Sequence, residues 1–315
     1  MAINEIKYKD REEWLALRKN YIGGSDAGAV MGLNPYGSPF AVWAEKTGKT
    51  PGFDGNLTTK VGSYLEDLVA MLFSEETGKH VQRWNRLLVN EDYPWACADV
   101  DRRVIRERAI LEIKTTNSFP AMKKLRGGEY PEQWYCQMVH YLAVTGMERA
   151  YLAVLIGNRD FQVYTLERDE DEIAALMDAE RDFWALVQSN TPPPTDGSEA
   201  TTEALRDAYP GSDGGSICLY DLDAVMETRA ELVKHKKKLE EDISRIDNQV
   251  KAQMQRADRA EFSRWTATWK SQTRSTFDRK ALEQDYPMID LERYYKTSAS
   301  RVFRVTEKKD KEDKS

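Results

Sequence analysis

Asp99-Val100-Asp101-Arg102, followed by Leu111-Glu112-Ile113-Lys114-Thr115-Thr116, is the stretch on which the reading of this chain turns. In an extended strand successive side chains alternate between faces, so Glu112 and Lys114 share one face. An acidic residue ending the preceding strand brings a second carboxylate to them. Two carboxylates beside an ammonium are the outline of a site that holds a divalent metal against a phosphodiester. Mg2+ takes hard oxygen ligands and keeps several waters, so Asp101, Glu112 and the backbone carbonyl of Ile113 make a partial shell for it. A water on such an ion is easier to deprotonate, and Lys114 is spaced to orient it or to offset charge building on phosphorus. Asp99 and Asp101 lie two apart on one run, so alternation does not choose between them, and Asp99 is a rival ligand.

The E-x-K tripeptide alone says little, because Glu5-Ile6-Lys7 repeats it and Glu307-Lys308-Lys309 matches the pattern near the C-terminus. What separates Glu112-Ile113-Lys114 is context: an apolar hairpin supplies Asp101 upstream, and a polar, basic loop follows. In that loop Lys123, Lys124 and Arg126 are candidates for gripping phosphates. The competing reading is a surface hairpin whose charges face solvent.

Outward from this centre, apolar spacing predicts a helix near Glu12 to Lys19, a glycine-rich turn at Ile22-Gly23-Gly24-Ser25-Asp26, and a helix near Phe40 to Thr47. A longer amphipathic helix follows from Lys60 to Thr77, with Leu65, Leu68, Val69, Leu72 and Phe73 at helical spacing and Gly78 placed to end it. Strands are expected at Arg86 to Val89, Ala96 to Val104 and Ile110 to Lys114. A helix from Pro131 to Val144, strands from Arg149 to Ile156 and from Asp160 to Leu166, and a helix from Glu170 to Gln188 complete the unit. The pattern is α/β, with a mixed central sheet flanked by helices.

Residues 1–195 therefore form the expected core, and 196–217, rich in Pro, Gly, Ser, Thr and Asp, read as a linker with room for one short helix. Residues 218–315 read as an extension built from a long helix and a small β element. Leu239, Ile243, Ile246, Val250 and Met254 recur at three- and four-residue spacing amid dense charge, the mark of a long exposed or coiled helix. Trp265, Ala267 and Trp269 alternate like a strand, Asp278 can cap a short helix ending before Pro287, and Ser300 to Val305 alternates again. The tail Lys308 to Ser315 is expected to be disordered.

Composition bounds the function. The 315 residues are 41% hydrophobic and 31% charged, with no run long and apolar enough for a transmembrane span and a polar N-terminus unlike a signal peptide, so a cytoplasmic protein is expected. Three cysteines, Cys97, Cys136 and Cys218, without C-x-x-C spacing, and three scattered histidines argue against zinc and for buried free thiols. A net charge of −7 gives no global attraction for a polyanion. Any nucleic-acid surface must be a local basic lining.

Three further groups stand near the centre of the pattern. Glu66 sits beside the apolar stripe of the long helix and is a candidate to reach a metal directly or through water. Gln137, on the Pro131 to Val144 helix, is a candidate to hydrogen-bond the attacking water or a ligand carboxylate, or else an ordinary half-buried amide. The Ile22 to Asp26 turn precedes a short helix, so its N–H groups and the Ser25 hydroxyl can cradle a phosphate, with Arg18 adding charge. A simple helix cap accounts for Ser25 and Asp26 equally well.

Taken together, Arg18, Ile22-Gly23-Gly24-Ser25-Asp26, Leu33-Asn34-Pro35-Tyr36, Gly62-Ser63-Tyr64-Leu65-Glu66, Asp99-Val100-Asp101-Arg102, Leu111-Glu112-Ile113-Lys114 and Gln137 resemble the YqaJ-type viral recombinase family, a relative of lambda exonuclease. The resemblance spans roughly residues 10 to 190. It implies a restriction-endonuclease-like fold and a Mg2+-dependent exonuclease that degrades one strand of linear double-stranded DNA from the 5′ end, leaving 3′ single strands for phage-type recombination. By the resemblance Asp101 and Glu112 are the metal-binding carboxylates, Ile113 lends its carbonyl, Lys114 acts on the nucleophilic water, and Glu66 and Gln137 complete the site. Arg18 and Ser25 match positions that bind a terminal 5′-phosphate. Lambda-like members carry S-P-D-G where this chain has Asp99-Val100-Asp101-Arg102, and they lack the segment after Tyr220.

The same resemblance implies one or two Mg2+ ions per site with Mn2+ as a substitute. It also implies a homotrimeric ring whose basic inner wall meets DNA ends, a single-strand annealing partner, and a phage or prophage protein in the bacterial cytoplasm. Two alternatives remain: a structure-specific endonuclease on the same fold, and a non-catalytic DNA-binding recombination scaffold.

Overall fold

The strand-like runs assemble into two mixed sheets flanked by helices in the computed structural model, which describes residues 2–52, 55–298 and 300–307. The chain divides between Pro210 and Gly211 into two units. In chain order the first comprises β1 (Ile3–Ile6), α1 (Arg11–Arg18), β2 (Ile22–Gly23), α2 (Gly24–Val30), α3 (Pro39–Lys46), α4 (Leu57–Thr77), β3 (Val81–Gln82), β4 (Leu87–Asn90) and β5 (Ala96–Ala98). It continues with β6 (Arg102–Val104), β7 (Ala109–Thr116), α5 (Phe119–Arg126), α6 (Glu132–Thr145), β8 (Arg149–Ile156), β9 (Asp160–Glu167), α7 (Glu170–Gln188) and α8 (Glu199–Ala208). The α/β class expected from the pattern holds, but the strands divide between a four-stranded sheet, β1-β4-β5-β2, and a five-stranded one, β3-β6-β7-β8-β9.

In the larger sheet β7 and β8 run parallel over all eight residues of Ala109–Thr116, while β6 pairs antiparallel with β7 on the other side. Alternation then sorts the side chains of β7. Leu111 and Ile113 pack with Val69, Ala70 and Phe73 of α4, and Ile110 packs with Met138, Val139 and Leu142 of α6. Glu112 and Lys114 share parity with Ile110 and so point toward α6. That helix is buried from Cys136 through Thr145, because it contacts strands of both sheets together with α2 and α7. Its approach to α2 is close: a Cβ on Gly24 would lie 2.4 Å from a Tyr141 ring carbon, and one on Gly28 would lie 2.7 Å from Gln133 Cβ.

Several expected boundaries shift, some for local reasons and some for tertiary ones. The Lys60 to Thr77 helix begins earlier, at Leu57, because Asn56 and Thr59 cap each other's backbone N–H groups. The run Ala96 to Val104, read as one strand, breaks at Asp99–Asp101, and its halves belong to different sheets. Ile22-Gly23, read as turn, is a short strand parallel to β5 that leads directly into α2. The basic loop after Thr116 coils into α5, with Pro120 in its first turn. Segment 196–217, read as a linker with room for one short helix, carries α8 as that helix. Its Thr201 Oγ1 donates to Ser38 Oγ at 2.7 Å, and its Ala204 packs with Phe40 and Trp43.

The second unit contains α9 (Asp223–Met254), the antiparallel hairpin of β10 (Arg259–Glu261) and β11 (Thr266–Thr268), and α10 (Arg279–Asp285), which Asp278 caps through the Ala281 N–H. Of the apolar stripe along α9, Leu239, Ile243 and Ile246 are exposed, Val250 is half-buried and Met254 is buried. Ser300 to Val305, expected as a strand, has no ladder partner among the described residues. The tail from Lys308 lies outside the described residues. No described helix is long and apolar enough to cross a membrane. All three thiols are free, but only Cys97 and Cys136 are buried; Cys218 is exposed, contrary to expectation.

Candidate active site

The break between β5 and β6 builds the site. Freed from the ladder, Asp101 turns back onto β7, where its Oδ2 accepts the Ile113 N–H at 2.7 Å. In extended backbone the N–H and C=O of one residue leave on the same side, so the Ile113 carbonyl faces the Asp101 edge, beyond Leu111, the last residue of β7 paired with β6. On the α6 face, Glu112 Oε1 lies 2.6 Å from Lys114 Nζ and accepts from Gln137 Nε2 at 2.8 Å. Lys114 Nζ also donates to Gln137 Oε1 at 2.8 Å, which closes a triangle among the three side chains. Tyr141, one turn beyond Gln137, accepts from Gln137 Nε2 at 3.1 Å and donates to the Asp99 carbonyl at 3.0 Å.

The electrostatics are those of neighbouring carboxylates drawn away from water. Burial, and then the charge of Glu112, raises the Asp101 carboxyl well above its ordinary value, with Lys114 only partly offsetting them. Burial likewise raises Glu112, which Lys114 opposes and Glu66 reinforces. Glu112 Oε2 is buried with no hydrogen-bond partner. A buried, unpaired acceptor calls for a counter-group. Oxygen donors at Asp101, Glu112 and Ile113 fit a hard divalent cation there. No cluster of three His, Cys, Asp or Glu side chains suited to a metal occurs among the described residues.

The rival and outer acids are placed differently. Asp99 accepts from the Tyr8 hydroxyl at 3.3 Å, and burial pushes its carboxyl up to about 6. Because the strand ends at Ala98, Asp99 and Asp101 do not share a strand face; Asp101 is the one bonded to β7 beside Glu112. Glu66 Oε2 stands 3.4 Å from Arg102 Nη1, and Arg102 Nη2 holds Asp67 at 2.7 Å. Its charge nonetheless reaches both carboxyls of the pair.

The glycine-rich segment forms the second half. Arg18 Nη2 donates to Ser25 Oγ at 2.7 Å, and its guanidinium lies over the Trp14 ring at 5.0 Å. Asp26 accepts the Gly23 N–H at 3.0 Å, which caps α2, and stands 2.8 Å from Lys46 and 3.6 Å from Arg18. Lys46, with only 1% of its side chain exposed, also donates to the Arg18 carbonyl at 3.2 Å. A cleft of about 350 Å³ joins the two halves, lined among others by Ser25, Tyr36, Lys114, Lys124, Trp134 and Gln137. Lys124 pairs with Glu132, whereas Lys123 and Arg126 are exposed and do not line the cleft. Tyr141 and Lys46 went unread in the sequence. Tyr141 carried a signal, its i+4 spacing from Gln137 on one helix face, but Lys46 meets Asp26 only through the tertiary fold. The other E-x-K, Glu5-Ile6-Lys7, lies at strand β1, where Glu5 is half exposed and 3.9 Å from Arg86.

The YqaJ-like viral recombinase domain matches residues 13–148. The YqaJ protein of Bacillus subtilis (strain 168), described as uncharacterised, is 35% identical over 305 residues, covering 94% of each chain. Among solved structures, an alkaline exonuclease (LHK-Exo) from Laribacter hongkongensis aligns with 57% of this chain and 94% of its own at 20% identity and a TM-score of 0.49. A phage-related exonuclease from Haemophilus somnus 129PT aligns with 56% of this chain and 99% of its own at 14% identity and a TM-score of 0.38. Identity sustained along nearly the full length, with the domain match spanning every element from α1 to α6 that builds the site, decides the relationship: the chain belongs to the YqaJ-like viral recombinase family.

Proposed function

We propose that this chain is a Mg2+-dependent exonuclease with a restriction-endonuclease-like core, which removes nucleotides from the 5′ ends of linear double-stranded DNA and leaves 3′ single strands for recombination. The observation that carries the reading is the Asp101–Glu112 pair, Glu112 buried with one carboxylate oxygen unpartnered and Asp101 half-buried beside it, next to Lys114 in a cleft that Ser25 also lines.

The carboxylates of Asp101 and Glu112 and the Ile113 carbonyl are the ligands in this reading, for one or two Mg2+ ions or for Mn2+ in their place. When bound, the ion supplies positive charge that makes a water acidic and offsets charge on the phosphodiester. Gln137 donates to one Glu112 oxygen and leaves the other for the ion. It also accepts from Lys114, which fixes that ammonium where it can orient the attacking water. Arg18 and Ser25 take the terminal 5′-phosphate, and Asp26 with Lys46 holds them in place. These local cations answer the unfavourable net charge of −7. The homotrimeric ring, the single-strand annealing partner and the setting in the bacterial cytoplasm belong to the same proposal and rest on the family.

Incubation with 5′-phosphorylated linear duplex and Mg2+ tests it. Mononucleotide release from the wild type, lost in Glu112→Ala and Lys114→Ala, is expected. Absence of release, or cutting of closed circular DNA, counts against exonuclease action.

A further inference from the structure

The Leu33-Asn34-Pro35-Tyr36 motif has no part in the chemistry above, yet its geometry is tightly set. Leu33 N–H donates to the Gly28 carbonyl at 2.8 Å, and Gly37 N–H donates to the Asn34 carbonyl at 3.3 Å. The Asn34 side chain accepts the Tyr36 N–H at 2.9 Å. Pro35 fixes its own φ within this turn. The result is a rigid turn whose tip is a tyrosine left 75% exposed. Tyr36 lines the same cleft as Ser25 and Lys114, and the cleft has an apolar wall of Pro120, Pro131 and Trp134. Phosphate-binding groups therefore adjoin flat apolar surface in one concavity.

The volume narrows the occupant. About 350 Å³ is at the small end of ligand cavities, roughly 300 to 1,000 Å³, room for a single nucleotide. Resting on the exonuclease reading for its substrate, we infer that Tyr36 stacks on the nucleobase of the terminal nucleotide, whose 5′-phosphate meets Ser25 and whose 3′ phosphodiester meets Lys114 in the same cleft. Every base presents a π face, so stacking holds the nucleotide without selecting its sequence. An enzyme that advances through any sequence needs that tolerance.

The test separates binding from hydrolysis. Titration calorimetry with 2′-deoxyadenosine 5′-monophosphate and with 2-deoxyribose 5-phosphate, in Ca2+, compares the wild type with Tyr36→Ala and Tyr36→Trp. Tyr36→Ala should weaken the nucleotide roughly five- to a hundredfold while leaving the sugar phosphate unchanged, and Tyr36→Trp should restore affinity. In turnover, Tyr36→Ala should raise KM on ends carrying a base and have no effect on ends made abasic. Equal affinity of wild type and Tyr36→Ala for the nucleotide, or equal losses on abasic ends, overturns the inference, as does a wild type that does not bind the nucleotide. A wild type that binds the nucleotide through Tyr36 but releases none from DNA keeps this subsite and defeats the exonuclease reading instead.

Discussion

The backbone N–H of Ile113 donates to Asp101 Oδ2 at 2.7 Å, a bond across twelve residues that ties the inter-sheet crossing to the central strand. An asparagine can accept that same N–H, so Asp101→Asn removes charge while keeping the tether. We expect nucleotide release to fall by at least about a hundredfold with a melting temperature no lower than that of the wild type. Asp99→Asn, away from β7, should cost far less. The reverse ranking in a release assay would move the ligand role to Asp99.

Cation binding should be visible in stability before any activity is measured. Burial raises Asp101 and Glu112, so their neutral forms favour the folded state. That contribution is present below the ordinary carboxyl range, about 3.9 to 4.3, and is lost as pH rises through the folded values. Mg2+ competes with those protons. The melting temperature should therefore rise on adding Mg2+, by more at pH 8 than at pH 5, with about 2.7 kcal/mol of stabilisation at a hundredfold excess over Kd. Glu112→Gln should abolish the rise. A melting curve indifferent to Mg2+ at pH 8 would remove the proposed ligand set.

The phosphate half has the opposite pH sign. Burial alone would raise Asp26, but Lys46 and Arg18 beside it outweigh burial and hold it at about 2, below its usual 3.8. A lowered carboxyl stabilises above its unfolded value, and the contribution, about 2 kcal/mol at 1.36 kcal/mol per pH unit, is lost as pH falls from about 4 toward 2. Lys46→Met should destabilise by about 3 kcal/mol at neutral pH and flatten that acid limb. Urea midpoints across pH 2 to 5 read both effects.

Gly24→Ala should destabilise by about 1 to 3 kcal/mol, because the added methyl would stand 2.4 Å from the buried Tyr141 ring. Tyr141 bonds to Gln137, so the same change should also lower kcat. Thermal melts and single-turnover rates at a temperature where the variant is fully folded distinguish the two losses.

What the sequence disclosed follows the range of each interaction. Glu112, Lys114 and the strand that aligns them are local, and Gln137 falls on a long helix whose period is plain. Asp101 was legible as a candidate only. The break in the Ala96 to Val104 run shows no glycine or proline, because it is imposed by two sheets competing for its halves. The short strand Ile22-Gly23 exists only because β5 lies beside it, and α8 is held by Ser38, 163 residues away in sequence. Lys46 looks like any lysine ending a helix until the fold buries it on Asp26.

Helices α2 and α6 touch where glycine leaves no gap, with Gly24 under Tyr141 and Gly28 against Gln133. So close a fit resists sliding or rotation of one helix against the other and ties the position of Ser25 on one to that of Gln137 on the other. For exchange of parts between relatives, the two helices form one cassette. A chimaera that imports α2 alone brings side chains cut to a different partner, whereas one that moves α2 and α6 together transplants the joint intact.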